Sequence, residues 1–300
     1  MLPFIILALA LSLFAACCLL IWHYSGIIIH PRREPVTSFP GFFGLDYEEV
    51  SFKAQDGLMC SGWWVPAAGQ TSDKTIILCH GWGTNKGDIL QATWKLAREG
   101  FNLLYFDFRG HGASETKGPS SLGYLEQKDL RGAINFINQA KVQSSRSMAI
   151  YGLSMGASVS FCIGSSSDAK AVSAIVCESP FASAKEAVWR YARLNFDFPK
   201  FPLLDIVFKV ISFRAGNIDH EAHAPVSVAR DFNVPRLMMI YAEADELCPP
   251  KDGELIASAM KKDIHVETWI CPNAGHAQCF SENPVEFHEK LSSFFKKYVK

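Results

Sequence analysis

Neither sign of charge dominates this chain: 29 Lys and Arg stand against 30 Asp and Glu, a formal net charge of −1 at pH 7 with histidine neutral. Without a basic patch or a long charge run there is no field to concentrate a polyanion, which argues against nucleic acid as a partner. Paired cysteine spacings are missing too. Cys17 and Cys18 fall in an apolar run, Cys79, Cys162 and Cys177 in apolar core segments, and Cys60, Cys248, Cys271 and Cys279 form no matched pattern. That excludes a disulfide framework and suits thiols kept reduced. Internal repeats and low-complexity tracts are absent, which removes solenoids and disordered arrays. No complete zinc-ligand spacing occurs either; His220, Glu221 and His223 sit close together without the further ligands a metal needs.

Charge is missing altogether from residues 2–22. As a helix this stretch would be about 31 Å long, enough to cross the hydrocarbon of a bilayer. A cleaved signal peptide opens with Lys or Arg and closes on small residues, whereas this chain opens Met-Leu-Pro with no basic residue before His23, and Phe14 spoils the lipoprotein-like Ala15-Ala16-Cys17. The expectation is an uncleaved, single-pass anchor over 1–23. Arg32 and Arg33 follow the span and nothing basic precedes it, so the positive-inside bias predicts that the folded part lies on the cytoplasmic side. Residues 24–45, rich in Pro, Gly and Phe, read as a linker whose Phe39, Phe42 and Phe43 either touch the membrane interface or cover the domain edge.

The remainder, 46–300, holds enough apolar material for one extended core, since 49% of the whole chain is hydrophobic and it carries 22 Phe. Residues 46–54 and 58–65, separated by Gln55-Asp56-Gly57, predict a hairpin. Apolar, β-rich runs follow at 74–79, 101–106, 147–151, 171–177, 235–241 and 264–270, each of the kind buried on both faces. Between them lie helical patterns at 87–99, 124–140, 157–164 and 251–262, with a last one at 284–298. Alternation of this kind predicts an α/β architecture: a mostly parallel eight-stranded sheet with helices on both faces and reacting groups at the carboxyl ends of the strands. The alternation breaks at 179–230, where helical patterns at 183–194 and 202–213 and a dense apolar set from Phe196 through Phe198 and Phe201 to Phe213 predict a cap over the active edge.

Strand, turn and helix meet at Gly152-Leu153-Ser154-Met155-Gly156. A serine at such a turn is held in a strained conformation with its hydroxyl pushed out of the sheet, and small residues on either side make room for it. A serine hydroxyl needs a base, and the base needs a carboxylate behind it. Of nine histidines, His276 is best placed, in the loop that follows the strand at 264–270; His80 and His111 sit in Gly-rich turns where the backbone matters more than the ring. After the strand at 235–241, Asp245 is the expected carboxylate, with Glu243 and Glu246 as close rivals and Glu178 as a more distant one. Backbone N–H groups of Trp82, in His80-Gly81-Trp82-Gly83, and of Met155, at the amino end of the helix after the turn, are candidate donors to an oxyanion.

These pieces, together with Asp107-Phe108-Arg109-Gly110-His111-Gly112-Ala113-Ser114, make the chain resemble the α/β-hydrolase superfamily over about 46–300. Within it the chain is similar to membrane-anchored α/β-hydrolase-domain proteins, grouped with serine aminopeptidase-like and lysophospholipase-like hydrolases. The resemblance implies a catalytic triad of Ser154, Asp245 and His276, an oxyanion hole of Trp82 and Met155, and no cofactor. The acid loop departs from the family pattern at Ala242, where glycine is usual. The function expected is hydrolysis of a carboxylic ester or thioester, the anchor and apolar cap favouring a lipid-like or acylated substrate. The alternatives are a serine peptidase and a non-catalytic binding protein on the same fold.

Overall fold

In each inner strand both alternating sets of side chains are apolar, so the strand is stable only when covered from both sides. In the computed structural model of this chain, which describes residues 1–115, 118–196 and 203–300, this is how the strands are used. The strands are β1 (Glu48–Lys53), β2 (Met59–Val65), β3 (Lys74–Cys79), β4 (Asn102–Phe106), β5 (Ser147–Leu153), β6 (Val172–Glu178), β7 (Arg236–Ala242) and β8 (His265–Cys271). Among the described residues they form the expected eight-stranded sheet, in the order β1-β2-β4-β3-β5-β6-β7-β8. The β1–β2 and β2–β4 pairs are antiparallel and all others parallel. Along β3 the period of two is visible directly: Ile77 and Cys79 join the core on one face, Ile76 and Leu78 the core on the other.

The helices are α1 (Leu2–Ile29), α2 (Leu90–Thr93), α3 (Lys95–Arg98), α4 (Glu126–Ala140), α5 (Met155–Gly164), α6 (Ala184–Phe196), α7 (Leu203–Arg214), α8 (Pro225–Val228), α9 (Pro250–Ala259), α10 (Cys279–Glu282) and α11 (Pro284–Tyr298). The single helix expected over 87–99 is two short ones. Asp88 accepts the Asn85 backbone N–H at 2.8 Å and closes a turn that delays the start. Thr93 then donates its hydroxyl to the Ile89 carbonyl at 2.7 Å, a local bond of the kind that disturbs a helix ladder. The first cap helix fits its expected range closely; the second begins at Leu203, and the expected contributions of Phe198, Phe201 and Pro202 lie outside the described residues.

α1 is long and apolar enough to cross a membrane and stands clear of the domain over most of its length. It continues past residue 23 to Ile29, and this last part is bolted down. Arg214 at the end of α7 donates to the Ser25 hydroxyl at 2.7 Å and to the Trp22 carbonyl, and its guanidinium lies 4.0 Å from the Trp22 ring centroid. Downstream, Phe39 packs on Trp63 and Phe43 stacks on Trp94, so both cover the domain edge, while Phe42 is exposed.

Candidate active site

The site starts with a turn that only small neighbours permit. Ser154 joins β5 to α5 with φ 54° and ψ −114°, a conformation that costs a non-glycine residue about 1–3 kcal/mol. A Cβ on Gly152 would stand 2.3 Å from the Gly156 carbonyl oxygen, and one on Gly156 would stand 2.3 Å from that of Cys79. Both glycines are thus demanded by close backbone approach. The Ser154 N–H donates to the Glu178 carbonyl at 2.8 Å, which ties the turn to the end of β6.

Three of the residues singled out from the sequence meet here. His276 Nε2 lies 3.0 Å from Ser154 Oγ, and His276 Nδ1 lies 2.8 Å from Asp245 Oδ2. A carboxylate on Nδ1 holds the proton there and leaves the Nε2 lone pair facing the serine hydroxyl. Asp245 is buried, and its other oxygen accepts the backbone N–H groups of Leu247 at 2.9 Å and Cys248 at 2.7 Å, so its direction is fixed. The rival carboxylates are placed elsewhere. Glu243 accepts the Asn273 N–H at 3.1 Å and so braces the loop carrying His276. Glu246 is exposed and faces Arg193. Glu178 is buried, accepts the Tyr151 hydroxyl, and has its carboxyl pushed upward in pKa by burial.

His80 and His111 are structural in this arrangement. His80 donates from Nδ1 to the Gly81 carbonyl at 2.7 Å and accepts the Phe108 N–H on Nε2 at 3.0 Å. Complete burial pushes its pKa down to about 3, which keeps it neutral and fastens two loops together. The loop after β4 is further held by buried ion pairs: Lys86 Nζ to Asp107 at 2.6 Å, and Arg109 to Asp129 at 2.6 Å with Asp56 on its other side at 3.0 Å. Both oxygens of Asp107 are also occupied by the N–H groups of Lys86 and Ala113, each at 2.8 Å.

Gly81 passes close to the nucleophile, for a Cβ there would sit 3.6 Å from that of Ser154. Met155 is the first residue of α5, so its N–H has no partner within the helix. Trp82 and Met155 both line a cavity of about 60 Å³ beside Ser154. Much of the remaining lining was not legible from the sequence, including Ile28 from the end of α1, Leu122 held at φ 56°, Phe181, Tyr191 of α6, and Cys248. None carries a charge. The Cys248 thiol is pushed well upward by burial and stays neutral. Leu122 is positioned by the buried Glu126; burial opposes the ionisation of Glu126, but bonds from Ser121, Ser120 and the Gly123 N–H hold its carboxyl below the usual range. Among the described residues, no group of three or more His, Cys, Asp or Glu is arranged to hold a metal ion. His220 bonds to Ser212 and the Ser121 carbonyl, and His223 to the Asp219 carbonyl.

A mostly parallel sheet with a strained serine at the strand-to-helix turn of its central strand is the α/β-hydrolase fold, and this chain has that fold. Comparison with known proteins agrees: residues 70–210 match the family described as serine aminopeptidase, S33. The chain is 26% identical over 255 residues to YfhR of Escherichia coli K12, itself described as uncharacterized, covering 82% of this chain and 80% of that one. Among solved structures it resembles the Pyrococcus furiosus esterase Pf2001, with a TM-score of 0.75, 23% identity and coverage of 91% of this chain and 99% of that one. It also resembles the acylaminoacyl peptidase of Pyrococcus horikoshii, with a TM-score of 0.64 and 18% identity, over 88% of this chain and 44% of that one.

Proposed function

We propose that this chain is a membrane-anchored serine hydrolase that cleaves a carboxylic ester or thioester of a lipid-like or acylated substrate through an acyl-enzyme on Ser154. The observation that carries the reading is the unbroken relay from Ser154 through His276 to Asp245, at 3.0 and 2.8 Å. His276 takes the hydroxyl proton as Ser154 Oγ attacks the carbonyl carbon. The oxygen of the resulting tetrahedral intermediate is received by the N–H groups of Trp82 and Met155, each donor stabilising it by roughly 3 kcal/mol. His276 then gives its proton to the departing alcohol or thiol as the acyl–oxygen or acyl–sulfur bond breaks. In the second half a water, deprotonated by His276, displaces Ser154 and releases the acid. The uncharged cavity favours an apolar acyl group over a peptide with a charged amino end, which sets the ester reading above the peptidase one.

α1 supports anchoring by its length and exposure, and Arg32 and Arg33 just beyond it support a catalytic domain on the cytoplasmic side. The test is labelling with a fluorophosphonate probe together with turnover of p-nitrophenyl esters. The wild-type chain is expected to react with both, and Ser154→Ala to lose labelling and at least a thousandfold in kcat/KM. Equal turnover by Ser154→Ala refutes the assignment, and a folded wild-type chain inert to both supports a non-catalytic binding role instead.

A further inference from the structure

Next to the small cavity at Ser154 lies a larger one of about 230 Å³ whose walls come from segments far apart along the chain. Cys17, Leu20 and Tyr24 of α1 form one side, and Ala192, Phe196 and Val207 of α6 and α7 form the other. The two cavities adjoin, with Ile28, Val188 and Tyr191 lining both. The junction is built: the Trp82 indole donates to the Ile28 carbonyl at 3.0 Å, and its ring meets Tyr191 edge to face at 5.5 Å. Thus the loop that carries a candidate oxyanion donor, the end of the apolar helix and the cap all converge between the two cavities.

From Ile28 back to Cys17 the α1 wall rises about 16 Å, roughly one leaflet of a bilayer whose hydrocarbon core is about 30 Å thick. The residues flanking that wall, such as Leu13, Phe14 and Leu19, are exposed and apolar, a surface stable only against hydrocarbon. We propose that the substrate is a long-chain fatty acyl ester resident in the membrane, whose chain enters sideways between α1 and the cap helices and lies along α1 with its carbonyl at Ser154. In this arrangement α1 is a wall of the acyl-binding site as well as an anchor. The inference rests on Ser154 being the nucleophile, and it adds where the acyl chain runs.

The experiment uses the full chain in phosphatidylcholine nanodiscs, with p-nitrophenyl acetate and p-nitrophenyl palmitate, whose acyl chain is long enough to reach Cys17, as probes. Each buried methylene is worth roughly fourfold in affinity, so wild type is expected to prefer palmitate by at least tenfold in kcat/KM. Ala192→Trp fills the groove from the cap side. Cys17→Trp fills it from the α1 side, at an exposed position where a large apolar residue does not burden folding. Each variant is expected to lower the palmitate-to-acetate ratio at least fivefold; because the ratio is taken within one preparation, loss of folded protein cancels. A smaller change in either variant, or no chain-length preference in wild type, overturns the lateral path while acetate turnover leaves the Ser154 reading standing. A wild-type chain that neither hydrolyses acetate nor takes up a fluorophosphonate overturns both.

Discussion

At the scale of single residues, the relay depends on which carboxylate stands behind His276. Three acidic residues crowd the loop after β7, and their order along the chain does not distinguish them; what does is a direction in space. Asp245 turns one oxygen to His276 and the other to two backbone N–H groups, whereas Glu243 reaches the backbone of Asn273. Asp245→Asn is expected to keep the shape but favour the wrong imidazole tautomer, lowering kcat on an ester by about 10⁴, the loss measured when the serine protease triad is altered in this way. Glu243→Gln retains an acceptor for Asn273 and is expected to cost less than tenfold. Equal losses in the two variants would move the role of the acid away from Asp245. Ser154 and His276 were legible because glycines and loop position announce them. The cavity wall was not, since nothing in the sequence marks Ile28 or Leu122 as lying beside a serine more than thirty positions away.

At the scale of elements, the strands were the most legible part, because a run such as Thr75-Ile76-Ile77-Leu78 has no stable place except inside a covered sheet. Helix limits were less so, as the split between α2 and α3 shows: a side-chain hydroxyl bonding to its own turn is a local competitor that apolar periodicity does not register. The passage from β5 to α5 combines both scales. Its glycines could be read as a motif, but their cause is the approach of α5 to the carbonyls at the end of β3. Gly156→Ala would drive a methyl into the Cys79 and His80 carbonyl oxygens, at 2.3 and 2.5 Å, and is expected to destabilise the fold by about 2–4 kcal/mol. Ala157→Gly, one residue further along the same helix, meets no such clash and is expected to cost about 1 kcal/mol. Thermal unfolding of the two variants side by side checks the difference, and equal losses would show that the close approach does not govern the turn.

At the scale of the whole molecule, the loops at the carboxyl edge of the sheet are joined through neutral, buried imidazole, and this couples the fold to pH. His80 bridges the loop after β3 to the loop after β4, and burial lowers its pKa from about 6.5 to about 3. Above pH 6.5 the ring is neutral folded or unfolded and contributes nothing to the pH dependence. Below it the unfolded chain takes up a proton that the folded chain refuses, so stability falls with acid by about 1.4 kcal/mol per pH unit until the pH nears 3. His111 and His220, also lowered by burial, act in the same sense, while Glu178, raised by burial, acts in the opposite one. Comparison of wild type with His80→Gln separates the one contribution from the rest. The variant loses a ring that closes two loops and is expected to be less stable by about 1–2 kcal/mol at pH 7.5. Having no group there to titrate, it should lose less on acidification, so that the gap between the two shrinks by about 2 kcal/mol between pH 6.5 and pH 5. Urea unfolding of both chains at a series of pH values measures this, and a gap that stays constant across that window would mean that His80 takes up its proton as readily in the folded protein as in the unfolded one.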